Sequence, residues 1–107
     1  MPKTNIDYSK TIIYKIEHDT NKELLFIGST TAFSKNKSYH KKLALCDHPT
    51  WKDSNTNLYK TIRANGGWER FNMIEIRKYP CNDKREANAK IHKYIYKLNA
   101  TLNMTHL

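Results

Sequence analysis

Thr11–Thr30 reads TIIYKIEHDTNKELLFIGST, and the reading of the fold starts there. Ile12, Tyr14 and Ile16 alternate with Ile13, Lys15 and Glu17, the two-residue period of a strand. His18–Glu23 is polar, and Asp19, Thr20 and Asn21 favour a turn. Leu24–Ile27 is a second short apolar run. It closes on Gly28, where the chain is expected to turn away because no Cβ obstructs it. The stretch is a predicted β-hairpin.

Working outward, the 107 residues suffice for one small domain with a modest core. A hydrophobic share of 38% with only three Gly and three Pro argues for an ordered chain rather than a disordered one. Lys and Arg outnumber Asp and Glu by 19 to 10, a net charge of +9, which suits nucleic acid or another anionic surface. MPKTNIDYSK carries no apolar segment of a secretory signal. No run approaches the roughly 20 apolar residues of a membrane span. An intracellular protein with reduced Cys46 and Cys81 and no membrane partner is expected.

Residues 1–10 are expected to be a loose polar lead-in. Ser29, Thr30 and Thr31 can cap a lysine-rich helix over Phe33–Leu45 whose apolar face is thin: Phe33, Leu43 and Ala44. Cys46–Asp53 reads as a loop. Ser54 or Asn55 starts a second helix, Asn57–Asn65, with Leu58 and Ile62 on one side, and Gly66-Gly67 ends it. Trp68–Tyr79 reads as a third strand stopped by Pro80. Asp83 and Glu86 match a capping box for a last helix with Ala87, Ile91, Tyr94, Ile95 and Leu98 along one face. Lys90, Lys93 and Lys97 fall on its other side, as a solvated face. The predicted order is β-β-α-α-β-α: an α/β fold with a small, mostly antiparallel three-stranded sheet flanked by helices.

These elements resemble a GIY-YIG nuclease domain over residues 11–103, with 104–107 as a tail. Ile12-Ile13-Tyr14 and Phe26-Ile27-Gly28 resemble the two name-giving tripeptides, with Ile12 for Gly and Phe26 for Tyr. FSKNKSYH, Phe33–His40, resembles the family's first helix. Asn65-Gly66-Gly67-Trp68 before Phe71-Asn72-Met73 resembles its helix–glycine–strand passage, and Lys84–Ala87 into Leu98–Asn103 its closing helix and tail.

The resemblance implies residue roles. The tyrosine that positions the attacking water falls on Tyr14, and the second tyrosine on Phe26, which lacks the hydroxyl. The phosphate-neutralising Arg falls on Asn36, the His four residues later on His40, and the metal-holding Glu on Ile91. Isoleucine has no ligand atom, whereas magnesium-type ions take oxygen ligands. Losing one transition-state donor costs roughly a hundred- to a thousand-fold. Lys35 and Lys37 flank Asn36 but lack the bidentate fork of Arg. Glu86 has a capping role, and His92 projects about 100° from Ile91. Tyr14 and His40 are therefore read as retained remnants, and Phe26, Asn36 and Ile91 as inert.

Elsewhere, Cys46-Asp47-His48 with Cys81 or His106 fits no zinc spacing. His40 has two readings, a phosphate contact or an inert surface residue, and Tyr14 has a second as an amphipathic core residue. The leading expectation is a silent nuclease relative that binds nucleic acid, DNA above RNA, through Lys35, Lys37, Lys41, Lys42, Lys60 and Arg63, with no cofactor. The alternatives are a rewired Mg²⁺- or Mn²⁺-dependent endonuclease, and a structural module whose cleft binds a protein partner or a second copy. The family's spread among phages, large DNA viruses and mobile introns implies a viral or mobile-element origin.

Overall fold

The computed structural model describes residues 7–45 and 57–104. The expected Cys46–Asp53 loop, the Ser54 or Asn55 cap, His48 and His106 lie outside the described residues. β1 (Ile12–His18) and β2 (Leu25–Thr30) form the predicted hairpin, and α1 (Phe33–Leu45) follows. α2 (Asn57–Ala64), β3 (Phe71–Lys78), α3 (Lys84–Leu98) and a short α4 (Thr101–Met104) complete the chain. The sheet is antiparallel with strand order β2-β1-β3, as the α/β reading requires.

Alternation along β1 builds two cores, because neighbouring side chains leave a strand on opposite faces. Tyr14 and Ile16 join Leu43, Ala44, Leu58, Tyr59, Ile62, Trp68, Phe71 and Met73, so α1 and α2 cover one face. Ile13 joins Leu25, Ile27 and Ala100, with Ile91, Tyr94 and Ile95 of α3 packed against them on the other face. β3 supports both through a bulge: Tyr14 pairs with Glu75 and Ile13 with Arg77, leaving Ile76 as the extra residue, directed to the second core.

His18 organises the hairpin turn. Its Nδ1 accepts the N–H groups of Thr20 and Asn21 at 3.2 and 3.0 Å, and its Nε2 donates to the Asn65 carbonyl at 3.0 Å. The turn is thereby tied to the end of α2. That end is a glycine cap: Gly66 has φ +102°, and the Gly67 N–H reaches back to the Ile62 carbonyl at 2.8 Å.

Several expectations are corrected. Gly28 does not turn the chain, since β2 continues to Thr30 and pairs there with Ile12. Trp68–Arg70 is a turn of 3₁₀ helix rather than strand, because the Arg70 and Phe71 N–H groups bond back to Gly67 and Trp68 before the ladder begins. Within the expected lead-in Tyr8–Lys10 forms a 3₁₀ turn: the Asp7 carboxylate accepts the Ser9 N–H, and the Tyr8 carbonyl accepts that of Cys81. The Asp83 side chain caps the Glu86 N–H at 3.0 Å, but Glu86 reaches Asn82 instead of Asp83, so the box closes one residue early. Leu98 is exposed, because α3 ends beside it at Asn99, whose φ is +55°. Lys90 is not simply solvated: its ammonium lies 5.5 Å from the Tyr79 ring centre and 5.7 Å from that of Tyr94.

α4 has no counterpart in the sequence reading. It carries the chain around the outer edge of β2, with Ala100 in one core and Leu102 in the other. The Asn103 side chain accepts the Ile27 N–H at 2.7 Å and donates to the Ile27 carbonyl at 2.9 Å, occupying edge groups that another chain could pair with.

Candidate functional site

Three of the residues that the resemblance singles out, Tyr14, Phe26 and His40, meet on the α1 side of the sheet. Tyr14 rises from β1 directly opposite Gly28 of β2. α1 buries a stripe of His40, Leu43 and Ala44, with Phe33 packed beside them. This brings His40 Nε2 within 2.8 Å of the Tyr14 hydroxyl. The other ring nitrogen, Nδ1, lies 2.6 Å from the hydroxyl of Tyr59 on α2. The imidazole is packed by Tyr14, Phe26, Tyr39, Tyr59 and Trp68, the last stacked within 15° of parallel.

Burial sets the chemistry. His40 is 6% exposed, and removal from water lowers its pKa from 6.5 to about 4, so the ring is neutral near neutral pH. A neutral imidazole donates from one nitrogen and accepts at the other. One tyrosine hydroxyl therefore donates a hydrogen bond to the ring and the other accepts one from it. Burial, and then the nearby Tyr59, push the Tyr14 pKa well above its usual 10. A phenol in that state is hard to deprotonate, and its oxygen is already paired. The Tyr14–His40–Tyr59 chain is a buried, hydrogen-bonded polar cluster. The surface reading of His40 is corrected: its place on the buried stripe of α1 decides against it.

The remaining positions fall apart. Asn36 is half-buried on α1, and its Oδ1 is enclosed without a hydrogen-bond partner among the described residues. It carries no charge to set against a phosphate. Ile91 packs in the second core, across the sheet from Tyr14. Phenol, imidazole, amide and isoleucine do not make the carboxylate-bearing oxygen set of a magnesium site. The positions that the resemblance assigns therefore do not fit the divalent ion, and no group of three or more His, Cys, Asp or Glu able to hold a metal occurs among the described residues.

The cationic candidates divide as well. Lys35, Lys37, Lys41 and Lys42 are exposed on α1, and Lys60 on α2. Lys35 and Lys42 are seven residues apart and Lys37 and Lys41 four, so they form two rows flanking the buried stripe. Arg63 differs: its Nη1 donates to the Leu43 and Ala44 carbonyls at 3.1 and 3.3 Å, tying α2 to the end of α1. It thus has a structural role beside the nucleic-acid contact expected of it, since a guanidinium satisfies orphan carbonyls of a helix end.

Sequence reasoning missed Tyr59 as a partner of His40. The available signal was its three-residue spacing from Ile62 on the side that already held Leu58. It also missed His18 and Asn103, which act on backbone groups and leave no spacing signature. No family model, curated protein or solved structure matches the chain.

Proposed function

We propose that this protein is a nucleic-acid-binding domain of GIY-YIG type that no longer cleaves. The observation that carries the reading is the solvent face of α1. It presents Lys35, Lys37, Lys41 and Lys42 along one helix that contains no acidic residue, with Lys60 on the neighbouring α2. A one-sign patch of this kind engages phosphates by counterion release, which makes affinity fall as salt rises. DNA is the preferred partner, on the strength of the resemblance alone.

Loss of cleavage is supported by the chemistry of the assigned positions. The Tyr14 hydroxyl is buried and bonded to His40, Asn36 brings no charge, and Ile91 no ligand atom. A gel shift and a nicking assay on the same plasmid, with and without Mg²⁺ or Mn²⁺, test both parts. The expected result is metal-independent binding that weakens steeply between low and moderate salt, with no nicking. Affinity unchanged by salt would overturn the binding reading. Metal-dependent nicking that vanishes in Tyr14→Phe would establish the rewired nuclease instead. Partners retained after nuclease treatment would favour the interaction module.

A further inference from the structure

A concavity lies away from the Tyr14–His40 cluster, where the end of β2 meets the start of α3. It encloses about 220 Å³ and is lined by Tyr8, Thr11, Ser29, Thr30, Thr31 and the first turn of α3, including Lys84. None of the positions assigned through the family resemblance lines it. The volume is several times the roughly 30 Å³ of a water molecule and below the roughly 300 Å³ at which drug-sized sites begin. It suits one small polar group.

The lining selects the sign of that group. The Thr11 hydroxyl is occupied, donating to the Tyr8 carbonyl at 2.7 Å with the Cys81 thiol 3.5 Å away. The Thr30 oxygen accepts the Ala32 N–H at 3.0 Å, which leaves its own proton to donate. Ser29, Thr31 and Tyr8, which also line the cleft, carry hydroxyls, and Lys84 carries an ammonium that forms no ion pair among the described residues. The nearby carboxylates are turned to backbone: Asp83 accepts the Glu86 N–H at 3.0 Å, and Glu86 that of Asn82 at 2.8 Å, and neither lines the cleft. Hydroxyl donors around one ammonium, with no carboxylate in the wall, match a compact oxyanion.

We infer that this cleft binds a phosphate monoester, with Lys84 as its counter-charge and Ser29, Thr30 and Thr31 as hydroxyl donors. The same chemistry is presented by a free phosphate or mononucleotide and by the 5′-terminal phosphate of an oligonucleotide. The inference does not depend on the lysines of α1.

Amide chemical shifts of the full chain, followed at constant ionic strength, test it. The probes are inorganic phosphate, adenosine monophosphate, adenosine, and one short oligonucleotide with a 5′-phosphate or a 5′-hydroxyl. At least one phosphate-bearing probe is expected to shift Thr30, Thr31 and Lys84 saturably, while adenosine and the 5′-hydroxyl strand leave them in place. Response to inorganic phosphate or the mononucleotide assigns a free ligand; response confined to the 5′-phosphorylated strand assigns the terminus. Lys84→Ala is expected to weaken that response about tenfold, the loss of one charge-assisted contact. Lys84 is exposed, so the variant keeps its fold, as an otherwise unchanged amide spectrum will show. Equal shifts with adenosine, no saturable shift with any phosphate, or shifts unaffected by Lys84→Ala overturn the inference. Oligonucleotide binding along α1 with an unmoved cleft overturns this site alone and leaves the nucleic-acid reading standing.

Discussion

A Cβ added to Gly28 would sit 2.5 Å from the Tyr14 hydroxyl oxygen and 2.6 Å from the carbon bearing it. The glycine lies within a strand, opposite Tyr14, and its role is to leave room for the ring that reaches His40. Gly28→Ala is therefore expected to cost about 1–3 kcal/mol through overpacking. For a domain of this size that lowers Tm by roughly 5 °C or more, measurable by thermal denaturation. Combined with Tyr14→Leu, the two losses should fall short of their sum, because the second change removes the atoms that the first collides with.

The same cluster predicts a pH dependence. The folded pKa of His40 is depressed to about 4, so between pH 6.5 and 4 the unfolded chain binds a proton that the folded chain excludes. Stability is expected to fall as the pH drops through that window and to level off below it. The contribution of this group is at most about 3 kcal/mol. Denaturant titrations at stepped pH should show the slope in the native chain. A His40→Gln variant that keeps the slope unchanged would remove His40 as its source.

Arg63 and the α1 lysines should separate experimentally. Arg63→Met removes the donor to the Leu43 and Ala44 carbonyls and should destabilise by about 1–3 kcal/mol, read as a lower denaturant midpoint. Lys41→Ala should leave stability within about 0.5 kcal/mol. It should instead reduce the salt slope of nucleic-acid binding by about 0.9, the signature of one lost phosphate contact. Reversed behaviour of the two variants would refute the assignment.

Asn103 closes the edge of β2 through both backbone groups of Ile27. Asn103→Ala should speed hydrogen exchange at the Ile27 amide and cost about 1–3 kcal/mol. Asn103→Asp retains the acceptor for the Ile27 N–H but sets a second acceptor against the Ile27 carbonyl, so it should be no better than Ala. An Ile27 amide equally protected in all three proteins would show that the edge is held by something else.

Much of the architecture was legible in the chain because it rests on local periodicity. Two-residue alternation marked β1, Phe33–Leu45 was bounded correctly as a helix, and Asp83 announced α3. Gly28 was misread because its constraint comes from a residue on another strand, and strand and turn make similar use of a missing Cβ. Trp68–Arg70 was misread because apolar residues before a strand do not reveal whether the ladder has begun. The candidate site was half legible: Tyr14, His40 and Phe26 are together, while Ile91 lies across the sheet.

The order of residues alone sets the segments, their succession, the excess of positive charge and the lack of a ligand atom at Ile91. Those are properties of single residues and of neighbours a few positions apart. Folding in three dimensions is what buries His40 between two tyrosines, sets Arg63 on the end of a helix, and places Asn103 against the edge of β2. Each depends on partners 19 to 76 residues away in the chain, and no spacing rule reaches across that distance.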